Sequence, residues 1–79
     1  MTNTFWIAAN LTFDLKTGET REILTLVNHE IDATFLKRPV ADLYKEFVER
    51  RAPNVQWSVD PTRLKGNGDL FVIRGVQNV

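Results

Sequence analysis

From Phe5 to Leu15 the apolar side chains fall on odd positions, Phe5, Ile7, Ala9, Leu11, Phe13 and Leu15, while Trp6, Ala8, Asn10, Thr12 and Asp14 take the even ones. A period of two is the mark of a β-strand, whose successive side chains point to opposite faces. Lys16-Thr17-Gly18 then offers a turn. Gly18 suits the left-handed position of a three-residue hairpin loop, because glycine has no Cβ to clash there. Thr20 to Val27 runs back as the second strand. With Leu15 opposite Glu19, Phe13 meets Arg21, Leu11 meets Ile23, Ala9 meets Thr25 and Ile7 meets Val27. The odd face of the first strand is expected to be the core face.

The period changes further along. Val40, Leu43, Tyr44, Phe47 and Val48 follow the i, i+3, i+4, i+7, i+8 spacing of one helical stripe. Asp42, Lys45, Glu46, Glu49 and Arg50 make the wet side. The helix is expected to start near Pro39, whose missing N–H has no partner to lose in the first turn, and to end near Ala52-Pro53. Its start is electrostatically poor, since Lys37 and Arg38 lie at the positive end of the dipole with no side-chain acceptor at the cap.

Val55, Trp57 and Val59 alternate with Gln56, Ser58 and Asp60, which predicts a short strand with one polar face and an exit turn at Asp60-Pro61. Lys65-Gly66-Asn67-Gly68-Asp69 is rich in turn residues, Leu70 to Arg74 reads as the last strand, and Gln77-Asn78-Val79 reads as a fraying end. Together these elements predict an α+β fold over residues 1–79: ββαββ, an antiparallel four-stranded sheet with one amphipathic helix packed on one face.

One helix covers one sheet face, so the other should be polar where water reaches it. It is not uniformly so. In the register above that face carries Trp6, Ala8, Leu24 and Leu26, and a slip of one residue would bring Ile23 and Val27 there in place of the two leucines. In the last strand Leu70 and Val72 take one face, Phe71 and Ile73 the other.

Seventy-nine residues amount to a single small domain, and one of this size buries only about 60% of the surface its unfolded chain exposes. The 43% of hydrophobic and 25% of charged residues are those of an ordinary globular protein. The absence of cysteine removes disulfides, thiolate metal sites and cysteine nucleophiles. Ten basic and ten acidic residues cancel, so no global field draws the chain to nucleic acid or anionic lipid. No apolar run reaches the roughly 20 residues of a membrane span, and the N-terminal Met-Thr-Asn-Thr has no signal-peptide character, which predicts a cytoplasmic protein without membrane association. The sequon Asn10-Leu11-Thr12 is read as a chance match.

Little in the chain points to catalysis. His29 and Ser58 are the sole histidine and serine, with no spacing that favours a triad. Alternation along a strand would send His29 and Glu30 to opposite faces, which argues against a metal site with Asp32. Asp42 and Glu46, at i, i+4 on the wet helix face, read as solvated charge. Gly66-Asn67-Gly68 precedes a strand, not the helix a phosphate loop needs. No cofactor, no metal and no enzymatic activity are expected.

The expectation that remains is a non-enzymatic protein-binding module. It would use Trp6, Ala8, Leu24 and Leu26, since tryptophan supplies a large contact area at interfaces. By size and lack of catalytic groups the chain resembles, by analogy, the small inhibitors with which phages and mobile elements block host proteins. The alternatives are a homodimer formed through the sheet and a nucleic-acid or acidic-partner contact through Lys37, Arg38, Arg63, Lys65 and Arg74.

Overall fold

The computed structural model describes residues 1–64 and 69–79; of the turn expected over Lys65 to Asp69, all but Asp69 lies outside the described residues. The chain forms β1 (Thr2–Phe13), β2 (Thr20–Val27), a short 3₁₀ helix (Glu30–Asp32), α1 (Arg38–Arg51), β3 (Gln56–Pro61) and β4 (Phe71–Asn78). The four strands make one antiparallel sheet in the order β2-β1-β4-β3. This is the expected ββαββ arrangement with one helix.

The first hairpin closes one residue earlier than the sequence suggested, and this correction moves every β2 side chain to the other face. Asp14 is the cause. Its N–H donates to Glu19 O at 2.9 Å, its carbonyl accepts the Gly18 N–H at 2.8 Å, and its carboxylate accepts the Lys16 N–H at 2.8 Å. Thr17 Oγ1 accepts the Glu19 N–H at 3.2 Å. Side-chain acceptors that satisfy turn amides make Asp14, not Leu15, the last laddered residue. Gly18 sits at φ 74°, as expected. The ladder then pairs Ile7 with Leu26, Ala9 with Leu24, Leu11 with Glu22 and Phe13 with Thr20.

The last strand does not fray at Gln77-Asn78. Thr2 to Trp6 of β1 pair with Asn78 to Arg74 of β4, and the Val79 N–H donates to Met1 O at 3.0 Å. Gly75 lies between Phe5 and Trp57 on neighbouring strands. The two rings close over it edge to face, 5.6 Å between centroids and 75° apart. A ring pair can cross a strand this closely only where that strand carries no side chain.

Beyond Trp6 and Arg74 the ladder between β1 and β4 stops, and the connection from β2 to α1 enters the opening. The Thr34 N–H donates to Ile7 O at 3.1 Å, its Oγ1 accepts the Ala9 N–H at 2.7 Å, and Leu36 bridges Phe71 in both directions at 2.8 and 2.7 Å. These bonds satisfy strand amides that would otherwise lie buried without partners. The 3₁₀ helix before it packs against β1, and Glu30 accepts from the buried Thr62 hydroxyl at 3.2 Å. Both faces of the sheet are therefore covered near its middle. Val72 and Ile73, adjacent residues on opposite faces, are both fully buried.

On the helix side Ile7, Val48 and Ile73 form the core, with Leu24, Leu36, Tyr44 and Trp57 packed around them. The helix presents Ala41, Tyr44 and Val48 inward. Val40, Leu43 and Phe47 of the expected stripe are exposed instead, because α1 lies over β3 and β4 and turns that flank away from them. Trp57 ties the layers by donating its indole N–H to Ala52 O at the helix end, at 3.1 Å.

A candidate protein-binding surface

A helix of 14 residues is about 21 Å long and about 10 Å wide, whereas strands lie about 4.8 Å apart. It can roof about two strands. Since α1 packs on β3 and β4, the helix-side face of the β1–β2 hairpin is left open. The 12 residues of β1 also reach roughly 40 Å, well past the helix end.

That open face is apolar. Leu11, Phe13 and Leu26 are 71%, 61% and 60% exposed, and Leu24 lies half-buried among them. Phe47 of α1 stands across from Leu24 and Leu26, about half exposed, with the Arg51 guanidinium 5.1 Å from its ring centre. Between helix and hairpin runs an open groove of about 350 Å³ lined by Ile7, Leu24, Leu26, Phe47, Val48 and Trp57, with Glu22 and Arg51 at its rim. Several exposed side chains of this size on one face of a small domain mark an interaction surface.

A polar contact joins the helix to β2 across the groove. The Tyr44 hydroxyl donates to Glu22 Oε2 at 2.6 Å and pins the helix to β2. The hydrogen bond to the Glu22 carboxylate, then desolvation and the repulsion of that charge, raise the tyrosine above its ordinary pKa of 10.0. The phenol keeps its proton, and with it the link.

The structure separates the four residues proposed from the sequence as one surface. Leu24 and Leu26 share the helix side with Ile7 and Ala9, while Trp6 and Ala8 lie on the opposite face with Val27 and Thr25. Ala8 is buried; Trp6 is half-buried, and its indole N–H is enclosed without an acceptor among the described residues. The one-residue difference in the turn accounts for the split. Among the exposed residues on the far face of the hairpin, Asn10, Thr12, Arg21 and Thr25 give the polar character that water requires, with Ile23 the apolar exception.

Of the basic residues, Arg38 and Arg74 lie on opposite faces of the sheet. Arg38 lies over the Phe71 ring at 5.3 Å and pairs with Asp42 at 3.2 Å, on the helix side. Arg74 pairs with Asp60 at 2.9 Å on the other face, beside Trp6. Lys37 and Arg63 are exposed, and Lys65 lies outside the described residues. Among the described residues no group of histidine and carboxylate side chains is placed to hold a metal ion, and no helix is long and apolar enough to cross a membrane. The chain matches no family model, no curated protein and no solved structure.

Sequence reasoning missed Leu11, Phe13 and Phe47 as surface residues because periodicity placed them inward. A signal was available in β2. Thr20 and Glu22 share a face with Leu24 and Leu26, and a face carrying an unburied carboxylate is roofed only in part.

Proposed function

We propose that the chain is a small non-enzymatic protein-binding module of the cytoplasm that acts by presenting the open half of its sheet to a protein surface. The observation that carries this reading is the apolar helix-side face of the hairpin, with Leu24 and Leu26 beside Phe47 in the groove and the exposed Leu11 and Phe13 further along the same strand face, left without a roof next to a well-packed core. Burying such side chains stabilises a complex by about 25 cal/mol for each Å² removed from water. A module of this kind works by occupation, the way small inhibitors block a partner, and needs no catalytic group. Trp6 and Ala8 support the hairpin from behind in this reading, and Leu24 and Leu26 touch the partner.

The test is affinity capture from native host extract with the wild type and with Leu26→Ala and Phe13→Ala, each followed by a thermal melt. Captured protein should fall at least several-fold for both variants, with melting midpoints within a few degrees of wild type. Capture that is indifferent to both substitutions, or a collapse of stability in both, would sink the reading.

A further inference from the structure

The two edges of the sheet differ in a way that identifies a partner for one of them. The β3 edge is short and carries Asp60 and Pro61, devices that blunt strand addition. The β2 edge is eight residues long, and its stretch Ile23-Leu24-Thr25-Leu26-Val27 has no charge, proline or glycine. Its open backbone groups can be assigned. The Asp14–Glu19 bond fixes the alternation along the hairpin, so odd residues of β2 turn their N–H and C=O toward β1. Those of Glu22, Leu24 and Leu26 point outward.

This stretch is chemically palindromic about Thr25. We propose that a second copy of the chain pairs antiparallel along β2, with Thr25 opposite Thr25 of the copy, on a two-fold axis perpendicular to the sheet. Leu24 then faces Leu26 of the copy on the helix side, and Ile23 faces Val27 of the copy on the other. Each Leu24–Leu26 pair exchanges both of its backbone hydrogen bonds, because these are the residues with outward groups. Glu22 meets Asn28 of the copy, and no like charges oppose. Centring the pair on Glu22 would set two carboxylates together; centring it on Ile23 or Leu24 would set Glu22 against a leucine. The two leucine stripes join on the helix side, so the pairing rests on the protein-binding reading and deepens it: the open apolar face runs across both copies and stays accessible to a partner.

Thr25 is exposed and its hydroxyl makes only a 3.5 Å contact to Ala8 O, so charge can be placed there without disturbing the hairpin. Sedimentation velocity of the full chain from micromolar to millimolar concentration should show a wild-type dimer. Thr25→Lys and Thr25→Glu should each weaken self-association, and mixing the two should restore it. The mixed dimer should be on the order of tenfold tighter than either variant with itself, since like charges face each other in one case and opposite charges in the other. A wild type that stays monomeric at millimolar concentration, or a mixture no tighter than its components, overturns the inference. If the wild type is monomeric yet captures another protein in a manner sensitive to Leu26→Ala and Phe13→Ala, the second copy is refuted and the protein-binding reading stands. If those substitutions change no association at all, that reading falls.

Discussion

Gly75→Ala is a perturbation whose sign depends on one feature of the packing. Gly75 does not have positive φ, so alanine can adopt its backbone conformation without strain. On that ground alone the substitution should stabilise the protein by about 0.4–1 kcal/mol, through a less flexible unfolded chain. A Cβ at this position, however, would lie 2.7 Å from Phe5 Cε2 and 2.7 Å from Trp57 Cζ3, both carbons of rigid rings. Ordinary contact begins near 3.4 Å, so each ring must retreat by several tenths of an ångström. Trp57 is held at its other end by the bond to Ala52 O. Overpacking of this kind costs about 1–3 kcal/mol, which outweighs the entropic gain and leaves a net loss of about 1–2 kcal/mol. For a domain this small, the melting midpoint should drop by roughly 5–15 °C. Tryptophan fluorescence and near-ultraviolet circular dichroism follow the unfolding. Replacing Phe5 by leucine in the same chain should make the two losses less than additive, because the smaller side chain makes room for the methyl group. A Gly75→Ala protein that melts at or above the wild-type temperature would refute the account of the ring pair closing over the glycine.

Two further outcomes follow from the same contacts. Tyr44 is the only tyrosine, so an absorbance titration reads it alone, and its midpoint should lie above the ordinary 10.0. Because the folded value is the raised one, the stability this group contributes is whole below pH about 10 and is lost as pH rises through the folded value. Tyr44→Phe should lower stability by about 1 kcal/mol or less near neutrality, and should lose less on going from pH 9 to 11 than the wild type does, as denaturant titrations at each pH would measure. Trp6→Ala should cost about 2 kcal/mol or more in urea unfolding, whereas Trp6→Phe, which keeps most of the ring and removes an enclosed N–H, should stay within about 1 kcal/mol of wild type. A near-neutral Trp6→Ala would restore Trp6 as a surface anchor.

Much of the architecture is legible in the chain because it depends on local patterns. Alternation over Phe5 to Phe13, the helical spacing from Val40 to Val48 and glycine at position 18 each report a backbone preference that neighbours in sequence satisfy. What the patterns leave open is which side each element turns to the others. A four-residue loop in place of a three-residue one reverses every β2 side chain, and the choice rests on Asp14 and Thr17 acting as acceptors inside the turn. The long pairing of Thr2 to Trp6 with Arg74 to Asn78 joins the two ends of the chain, so no local signal announces it.

The candidate surface divides along the same line. The sequence by itself determined that there are more apolar side chains than one helix and one sheet face can hide, since their number and parity are written in the chain. Where the surplus lies was a tertiary decision. The helix is wide enough for two strands and settles on β3 and β4, and the connection through Thr34 to Leu36 fills the opening between β1 and β4. Leu11, Phe13 and Leu26 are left outside because the one layer that could cover them is already engaged elsewhere.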